Sequence, residues 1–420
     1  MNRTIFFLIL SFVLIFIDWY VWQGIRIMIR NLTPSTQRWI GVGYWGFTIV
    51  TLIAYFGMQV LPPDLFSKAT RTFILAFIAI PYLCKLLTVI LLFVDDMRRL
   101  GTWVVGLTRS NTPETHELAP LDEVKIPRSA FLATTAVAAG ATLMGTFAFG
   151  IISGAHDYRI RRVRVPLKNL PRAFHGIKIA QLSDIHSGSF FNKTAVKGGV
   201  EMLMNEKPDL VFFTGDLVND RAVELNDYIN IFNKVKAPLG VHSVLGNHDY
   251  GDYYDWSSPA AKVQNLKDLK QGHTQMGWNL MINENKPIRV DNEEIGLIGI
   301  ENWGAGNFAK YGKMKEAYQG SEDYPVKLLL SHDPSHWREQ VLPDYGQIDI
   351  AFAGHTHGMQ FGVELGSFKW SPAQYRYQDW AGLYQEGEQF LYVNRGYGYI
   401  GYPGRVGILP EITIMELVKA

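Results

Sequence analysis

Cysteine is almost missing from this chain: Cys84 stands alone among 420 residues, inside an apolar run. One thiol can form neither a disulfide framework within the chain nor a thiolate metal cluster, so any metal must be held by His, Asp, Glu or Asn. Net charge is nearly missing too, at +1, which gives no basis for a nucleic-acid partner. Internal repeats and low-complexity tracts are lacking, which argues against repeat architectures and disordered scaffolds. The chain is long for one ordinary core, so two domains are expected.

What is present is unevenly distributed. The first third is dominated by apolar runs, and charged, Gly-punctuated motifs crowd the rest. Residues 1–155 read as a transmembrane helical domain with spans over about 5–22, 39–61, 72–94 and 130–153, each near the roughly 20 residues needed to cross hydrocarbon. Arg3 precedes the first run, but Asp18, Trp19 and Tyr20 follow it instead of a small-residue cleavage pattern. That favours an uncleaved anchor. Trp19, Trp22, Trp39, Tyr44 and Trp45 cluster near the expected interfaces. Basic residues, Arg109 and Lys125 included, are evenly shared between the two sides. Arg3 against Arg26, Arg30 and Arg38 then places the amino terminus outside, and four spans place the remainder of the chain outside with it. The expected location is a multi-pass segment in a bacterial inner membrane. Asp18 and Lys85 are ionisable groups in or near the spans, each open to a functional reading. The plainer reading puts Asp18 at the interface and Lys85 against a neighbouring helix or snorkelling.

Residues 156–420 alternate short apolar runs with helical patterns. Lys178–Leu182, Leu210–Phe213, Val241–Leu245, Ile295–Gly299, Lys327–Leu330, Ile348–Ala353 and Phe390–Val393 read as buried strands. Val196, Val200, Leu203 and Met204 recur at helical spacing, with Pro208 closing that helix. The alternation predicts an α/β domain with ligands gathered beyond the strand ends. The basic stretch 159–168 reads either as a contact for anionic lipid headgroups or as a flank of the last span.

Five polar blocks sit at those strand ends: Asp184 with His186; Asp216 with Asn219 and Asp220; Asn247 with His248 and Asp249; His332 with Asp333; His355 with His357. Residues two apart at an extended strand end face one side, which would pair Asp184 with His186 and His355 with His357. Gly215, Gly246 and Gly354 precede these residues, where the chain must turn sharply. Mixed carboxylate and imidazole donors suit manganese, iron(II) or zinc better than calcium. Two such ions can bind a phosphate and generate hydroxide at neutral pH. A central carboxylate is needed to bridge them, and Asp216 is the natural candidate. Each block alone has a plain reading as a surface turn or a structural histidine; five in this order are more specific.

Together they resemble the calcineurin-like metallophosphoesterase superfamily, from about Lys178 onward, and within it the bacterial membrane-associated branch, which typically ends in a strand like Pro410-Glu411-Ile412. The resemblance implies a four-layer α/β/β/α sandwich, here preceded by an all-helical membrane domain of about four spans. It implies two divalent ions (manganese, iron or zinc). Asp184, His186 and His357 would hold one ion, and Asn247, His332 and His355 the other, with Asp216 bridging. His248 would face the scissile phosphate and a metal-bound hydroxide would attack. Two positions depart from the family pattern. Many relatives place an Asp, as partner of the catalytic histidine, where this chain has Asn219; the amide oxygen of Asn219 or the neighbouring Asp220 would have to serve. Met359 stands where close relatives have Gly, which would narrow the pocket or meet an apolar group.

Other residues keep two readings. Asp249 and Asp333 orient imidazoles or complete turns. Tyr250, Tyr253, Tyr254 and Trp256 form a substrate wall or pack beneath a loop. Arg395 and Arg405 grip a phosphate or serve the structure. The expected function is a membrane-anchored phosphohydrolase cleaving a phosphoester or pyrophosphate bond, on a phosphorylated small molecule or a lipid-linked substrate. The rival is a non-catalytic membrane sensor or binding protein that keeps the fold.

Overall fold

The computed structural model describes residues 3–61, 65–66, 68–108, 128–366 and 368–420. Arg109 and Lys125 lie outside them. The chain divides into two units, Met1–Ala148 and Phe149–Ala420.

In the first unit, helices α1 (Arg3–Ile29), α2 (Pro34–Val60), α3 (Lys68–Thr108) and α4 (Arg128–Ile152) are all long and apolar enough to cross a membrane. Thr33 caps α2, its side chain accepting from Thr36 N, and Pro34 occupies the first helical position, where a missing N–H costs nothing. At 41 residues, α3 is about 60 Å long, twice the roughly 30 Å of hydrocarbon. It therefore continues past its apolar run through Asp95, Asp96, Arg98 and Arg99. Leu14, Ile17, Ile78 and Tyr82 form the buried seam of this unit. Phe12, Trp39 and Ile53 are exposed, as expected of side chains that meet lipid.

Asp18 is fully enclosed by the neighbouring helices. It forms an ion pair with Lys85 and accepts hydrogen bonds from Tyr82 Oη at 2.7 Å and Tyr44 Oη at 3.1 Å. Removing one member of a buried pair strands the other and costs about 3–5 kcal/mol, whereas removing both charges is far cheaper. Lys85→Met is therefore expected to lower the thermal midpoint of the detergent-solubilised protein. Adding Asp18→Asn to that variant should restore most of the loss. Equal midpoints for wild type and Lys85→Met would refute this account of the pair.

The second unit holds strands β1 (Arg159–Leu167), β2 (Lys178–Leu182), β3 (Leu210–Phe213), β4 (Val241–Ser243), β5 (Asn279–Leu280), β6 (Glu284–Val290), β7 (Glu293–Gly299), β8 (Lys327–Leu330), β9 (Ile350–Ala353), β10 (Val363–Leu365), β11 (Phe368–Trp370), β12 (Gly382–Glu386), β13 (Gln389–Val393) and β14 (Glu411–Lys419). One six-stranded sheet runs β1-β14-β2-β3-β4-β5 and the other β12-β13-β9-β8-β7-β6, with β10-β11 a separate hairpin. β2 to β5 are mutually parallel, as are β7, β8, β9 and β13. Parallel strands are buried on both faces and read as continuous apolar runs, so all but the two-residue β5 are legible in the sequence.

The sheets face each other across Ile179, Phe212, Leu297, Leu328, Ile350, Phe352 and Met415. Phe212 and Phe352 meet edge-to-face with centroids 5.0 Å apart. Helices α5 (Lys193–Asn205), α6 (Ile229–Phe232) and α7 (Pro259–Met276) share the outer core of the first sheet, through Val196, Val200, Leu203, Phe232 and Leu269. Trp337 and Val341 cover the outer face of the second with Ile298, Leu329 and Ala351. The architecture is the expected α/β/β/α sandwich.

The basic stretch, not expected as a strand from the sequence, folds into one. Residues 159–167 form β1, paired in parallel along β14. Its arginines are engaged by carboxylates: Arg161 by Glu364 and Glu411, Arg162 by Glu206, Arg164 by Glu416. β1 is an edge strand, which presents a row of unpaired N–H and C=O groups, and charged side chains there discourage edge-to-edge association. Alternating arginines hid the strand from a search for apolar runs.

Candidate metal centre

All five polar blocks converge at one end of the two sheets, on the turns leaving β2, β3, β4, β8 and β9. These turns are strained. Asp184, His186, Asp216, His355 and His357 all have φ between 49° and 70°. Side chains with a Cβ avoid this left-handed region, and such conformations concentrate where function requires them. Asp184 and His186 fall in one cluster, as strand alternation predicts, but through left-handed turns and not an extended strand; His355 and His357, expected to pair in the same way, fall in different clusters. Gly215 has φ +97°, which only glycine adopts cheaply. Gly354 serves close approach instead, since a Cβ there would fall on Ser183 Oγ and the Asp184 carboxylate.

Two clusters result. In the first, His357 Nε2 lies 3.2 Å from Asp184 Oδ1 and 3.0 Å from His186 Nε2. In the second, His332 Nε2 lies 3.1 Å from Asp216 Oδ2 and 3.3 Å from His355 Nδ1, which is 2.9 Å from Asn247 Oδ1. Asp216 Oδ2 is also 3.6 Å from His186 Nε2 in the first cluster. Donor atoms about 2.1 Å from one shared ion stand about 3 Å apart, the spacing found here. The first group is buried, the second is buried except for the half-buried His355, and both have the donor types that divalent ions take. The residues fit two cations.

Backbone and side chains hold these donors in place. His332 Nδ1 is 2.7 Å from the Thr214 carbonyl, so that nitrogen carries the hydrogen and Nε2 faces the site. Asp249 is fully buried and accepts from the backbone N–H groups of Gly246, Asp216, Leu217 and Val218. It fastens the Asp216 turn to the Asn247 turn. Asp333 Oδ1 accepts from Ser335 N and Oγ, while Oδ2 lies 3.5 Å from His355 Nε2. Both aspartates therefore serve the site as well as their turns.

The electrostatics are those of interlocked charges. Burial alone would raise the Asp216 carboxyl, but the imidazoles of His332 and His248 hold it well below the usual carboxylate range. Burial disfavours charge on His332 as well; the Asp216 carboxylate outweighs it and lifts that imidazole to about 10. Burial pushes His186 well below its ordinary value, only partly opposed by Asp216. A cation taking the inner face of His332 must displace a proton from it.

His248 donates its backbone N–H to Asp216 Oδ1 at 2.9 Å. Its ring stands beside the first cluster, 5.0 Å from the His186 ring. Here the structure corrects an expectation: the His248 ring is held by the backbone carbonyl of Asn219, at 2.7 Å from Nδ1, not by the amide side chain. The Asn219 side chain pairs with Ser189 Oγ, and the Asp220 carbonyl accepts from Asn265 Nδ2. A main-chain carbonyl does the orienting without added charge.

The softer candidates separate cleanly. Tyr253 belongs to the site, its hydroxyl accepting from Asn247 Nδ2 at 3.1 Å and its ring 4.8 Å from His248. Tyr250 is buried and stacks on Tyr311, and Tyr254 packs on Trp256. Arg395 forms buried ion pairs with Glu364 and Glu411. Arg405 is buried against the carbonyls of Gly398, Arg395 and Gly396, 3.1 Å from His357 Nδ1. Both arginines serve the structure. Met359 is half-exposed in a left-handed turn. Tyr377, missed from the sequence, places its hydroxyl 2.7 Å from His355 Nε2. Nothing local marks it, since it lies 22 residues from His355.

Comparison with known proteins places these observations. Residues 2–155 match a family model described as a probable calcineurin-like phosphoesterase transmembrane domain. Residues 177–359 match the calcineurin-like phosphoesterase model. A transmembrane protein with metallophosphoesterase domain from Bos taurus is 29% identical over 385 residues, covering 89% of this chain and 77% of its own length. Phosphodiesterase YaeI of Escherichia coli is 27% identical over 297 residues, covering 70% of this chain and 100% of its own. UDP-2,3-diacylglucosamine pyrophosphatase LpxG of Chlamydia trachomatis is 27% identical over 297 residues, covering 59% of this chain and 86% of its own.

Proposed function

The chain belongs to the calcineurin-like phosphoesterases and carries a four-helix membrane region; from that premise we propose a membrane-anchored hydrolase that uses two divalent ions to cleave a phosphoester or pyrophosphate bond. The observation that carries the reading is the position of Asp216, whose Oδ2 lies within 3.6 Å of a ring nitrogen in each cluster. Asp184, His186 and His357 would hold one ion, Asn247, His332 and His355 the other, and Asp216 would bridge. When bound, such ions supply Lewis acidity and ready a water for attack at neutral pH.

The remaining work falls to the chain itself. The Asn219 carbonyl fixes the ring of His248 at Nδ1, leaving Nε2 to donate to a phosphoryl or departing oxygen. Asp249 and Arg405 keep the ligand turns from relaxing. The retention of every donor favours catalysis over the sensor reading.

The membrane region and the lipid-linked substrate named for the chlamydial relative support a substrate embedded in, or tethered to, a bilayer. Charge around the first helix supports an extracytoplasmic catalytic domain in a bacterial inner membrane, which protease accessibility in intact cells would test. For the reaction itself, purified protein with manganese should hydrolyse bis(p-nitrophenyl) phosphate, lose activity to a chelator, and regain it on adding manganese back. Hydrolysis indifferent to the chelator would sink the reading.

A further inference from the structure

The polarity of the β10-β11 hairpin is reversed. Its strands pair Val363 with Trp370, Glu364 with Lys369 and Leu365 with Phe368. Directly opposite residues share a face, and faces alternate along a strand. Val363, Leu365, Phe368 and Trp370 therefore line one face, and Glu364 and Lys369 the other. The charged face is turned to the domain. Glu364 is bound by Arg161 and Arg395, and Lys369 donates to the Ala381 carbonyl and lies over the Trp380 and Tyr384 rings. The apolar face is left outside, with Leu365 71% exposed and Phe368 59%. Tyr375, 79% exposed, accepts from Trp370 Nε1, and Met359 is exposed just ahead of β10. An exposed apolar patch of this kind marks a contact surface for a protein or a membrane.

The backbone says which. Phe149–Ile152, the last turn of α4, belong to the second unit, and the apolar span they close runs from Ala130 to His156. The Gly150 carbonyl, one of the last four that a helix leaves unpaired, accepts from Arg405 N at 3.1 Å. A Cβ on Gly150 or Gly154 would lie 2.9 or 2.0 Å from the Arg405 carbonyl oxygen, so the helix end and the 402–406 loop meet flush. The same loop carries the hairpin. Val406 N donates to the Gln360 carbonyl at 2.8 Å, and the Val406 carbonyl accepts from Gly362 N at 2.9 Å. One loop thus joins the root of the hairpin to the end of a helix whose Phe149 and Ile152 are exposed as lipid-facing residues are. The leaflet that α4 leaves is therefore the apolar surface nearest to the hairpin along the chain's own contacts.

We infer that the β10-β11 hairpin inserts its apolar face into the leaflet from which α4 emerges, a second membrane contact made by the metal-binding unit itself. Val363, Leu365 and Phe368 enter the hydrocarbon boundary, and Trp370 and Tyr375 stand at headgroup depth, where such rings collect. β10 follows closely on the turn that carries His357, and Ser371 Oγ, just after β11, donates to the Gly358 carbonyl at 2.7 Å. A seated hairpin fixes that donor turn at the membrane surface. On the hydrolase reading above, the centre then meets phosphates at headgroup depth without a lipid leaving the bilayer.

Fluorescence on the full-length protein in nanodiscs of phosphatidylethanolamine and phosphatidylglycerol tests the seating without turnover. With the native thiol removed by Cys84→Ala, an environment-sensitive label is attached through Leu365→Cys or Phe368→Cys. Val263→Cys, at an exposed position on α7, serves as the reference. Lipids brominated on their acyl chains should cost the two hairpin labels about half or more of their emission, since quenching requires entry into the chain region. The Val263 label should be unchanged. Hairpin labels that bromine leaves as bright as the reference would overturn the seating and give the patch to a protein partner. Quenched hairpin labels in a protein that cleaves no phosphoester would keep the seating and remove the hydrolase reading. Hydrolysis with unquenched labels would do the reverse.

Discussion

Asp216→Ala is expected to lose manganese and phosphodiester hydrolysis together, with turnover falling by about a thousandfold or more. The size of the effect follows from repulsion. Two dications about 4 Å apart repel by about 16 kcal/mol at an effective dielectric of 20. Of the carboxylates here, Asp216 lies within 3.6 Å of a ring nitrogen in both clusters, so its charge offsets that repulsion most directly. Asp216→Asn keeps the shape and removes the charge, and should fail in the same direction. Metal content by elemental analysis, read beside turnover, decides the matter. An alanine variant that retains both ions would overturn the bridging role.

His248→Ala should behave differently, retaining its metal and slowing by about a hundred- to ten-thousandfold, the usual contribution of a positioned acid or base. The ring is held by a carbonyl and lies outside both donor clusters. The loss should also depend on the leaving group. Nitrophenolate departs without a proton, so nitrophenyl esters should suffer least, and alkyl diesters most. An equal loss on both, with metal retained, would leave His248 a role in binding charge but none in proton donation.

How much of this was legible beforehand differs by element. The parallel strands announced themselves as apolar runs, because burial on both faces leaves no room for alternation. β1 did not, since its arginines answer to carboxylates far along the chain, such as Glu364 and Glu416. The donor residues were visible because imidazole and carboxylate after a strand have few other uses in such numbers. Their backbone was not: left-handed φ at Asp184 or His357 is imposed by the packed fold and leaves no mark on residue type. The support of His248 escaped for a related reason, since a main-chain carbonyl is present at every position. Tyr377 escaped because its contact with His355 is created only by folding. Asp18 was visible as a charge in an apolar run, but its partners come from α2 and α3.

The order of strands in the first sheet carries a consequence for biosynthesis. β14 lies between β1 and β2, yet it is made long after both, and after every donor up to His357. While translation proceeds, the place between β1 and β2 stays unfilled by any earlier strand. A ribosome that stalls beyond His357 but short of Glu411 would release a polypeptide with all its donor side chains and with Arg161 deprived of the Glu411 carboxylate. Quality control would meet an open edge at β2, the kind of surface that recruits chaperones or seeds aggregation.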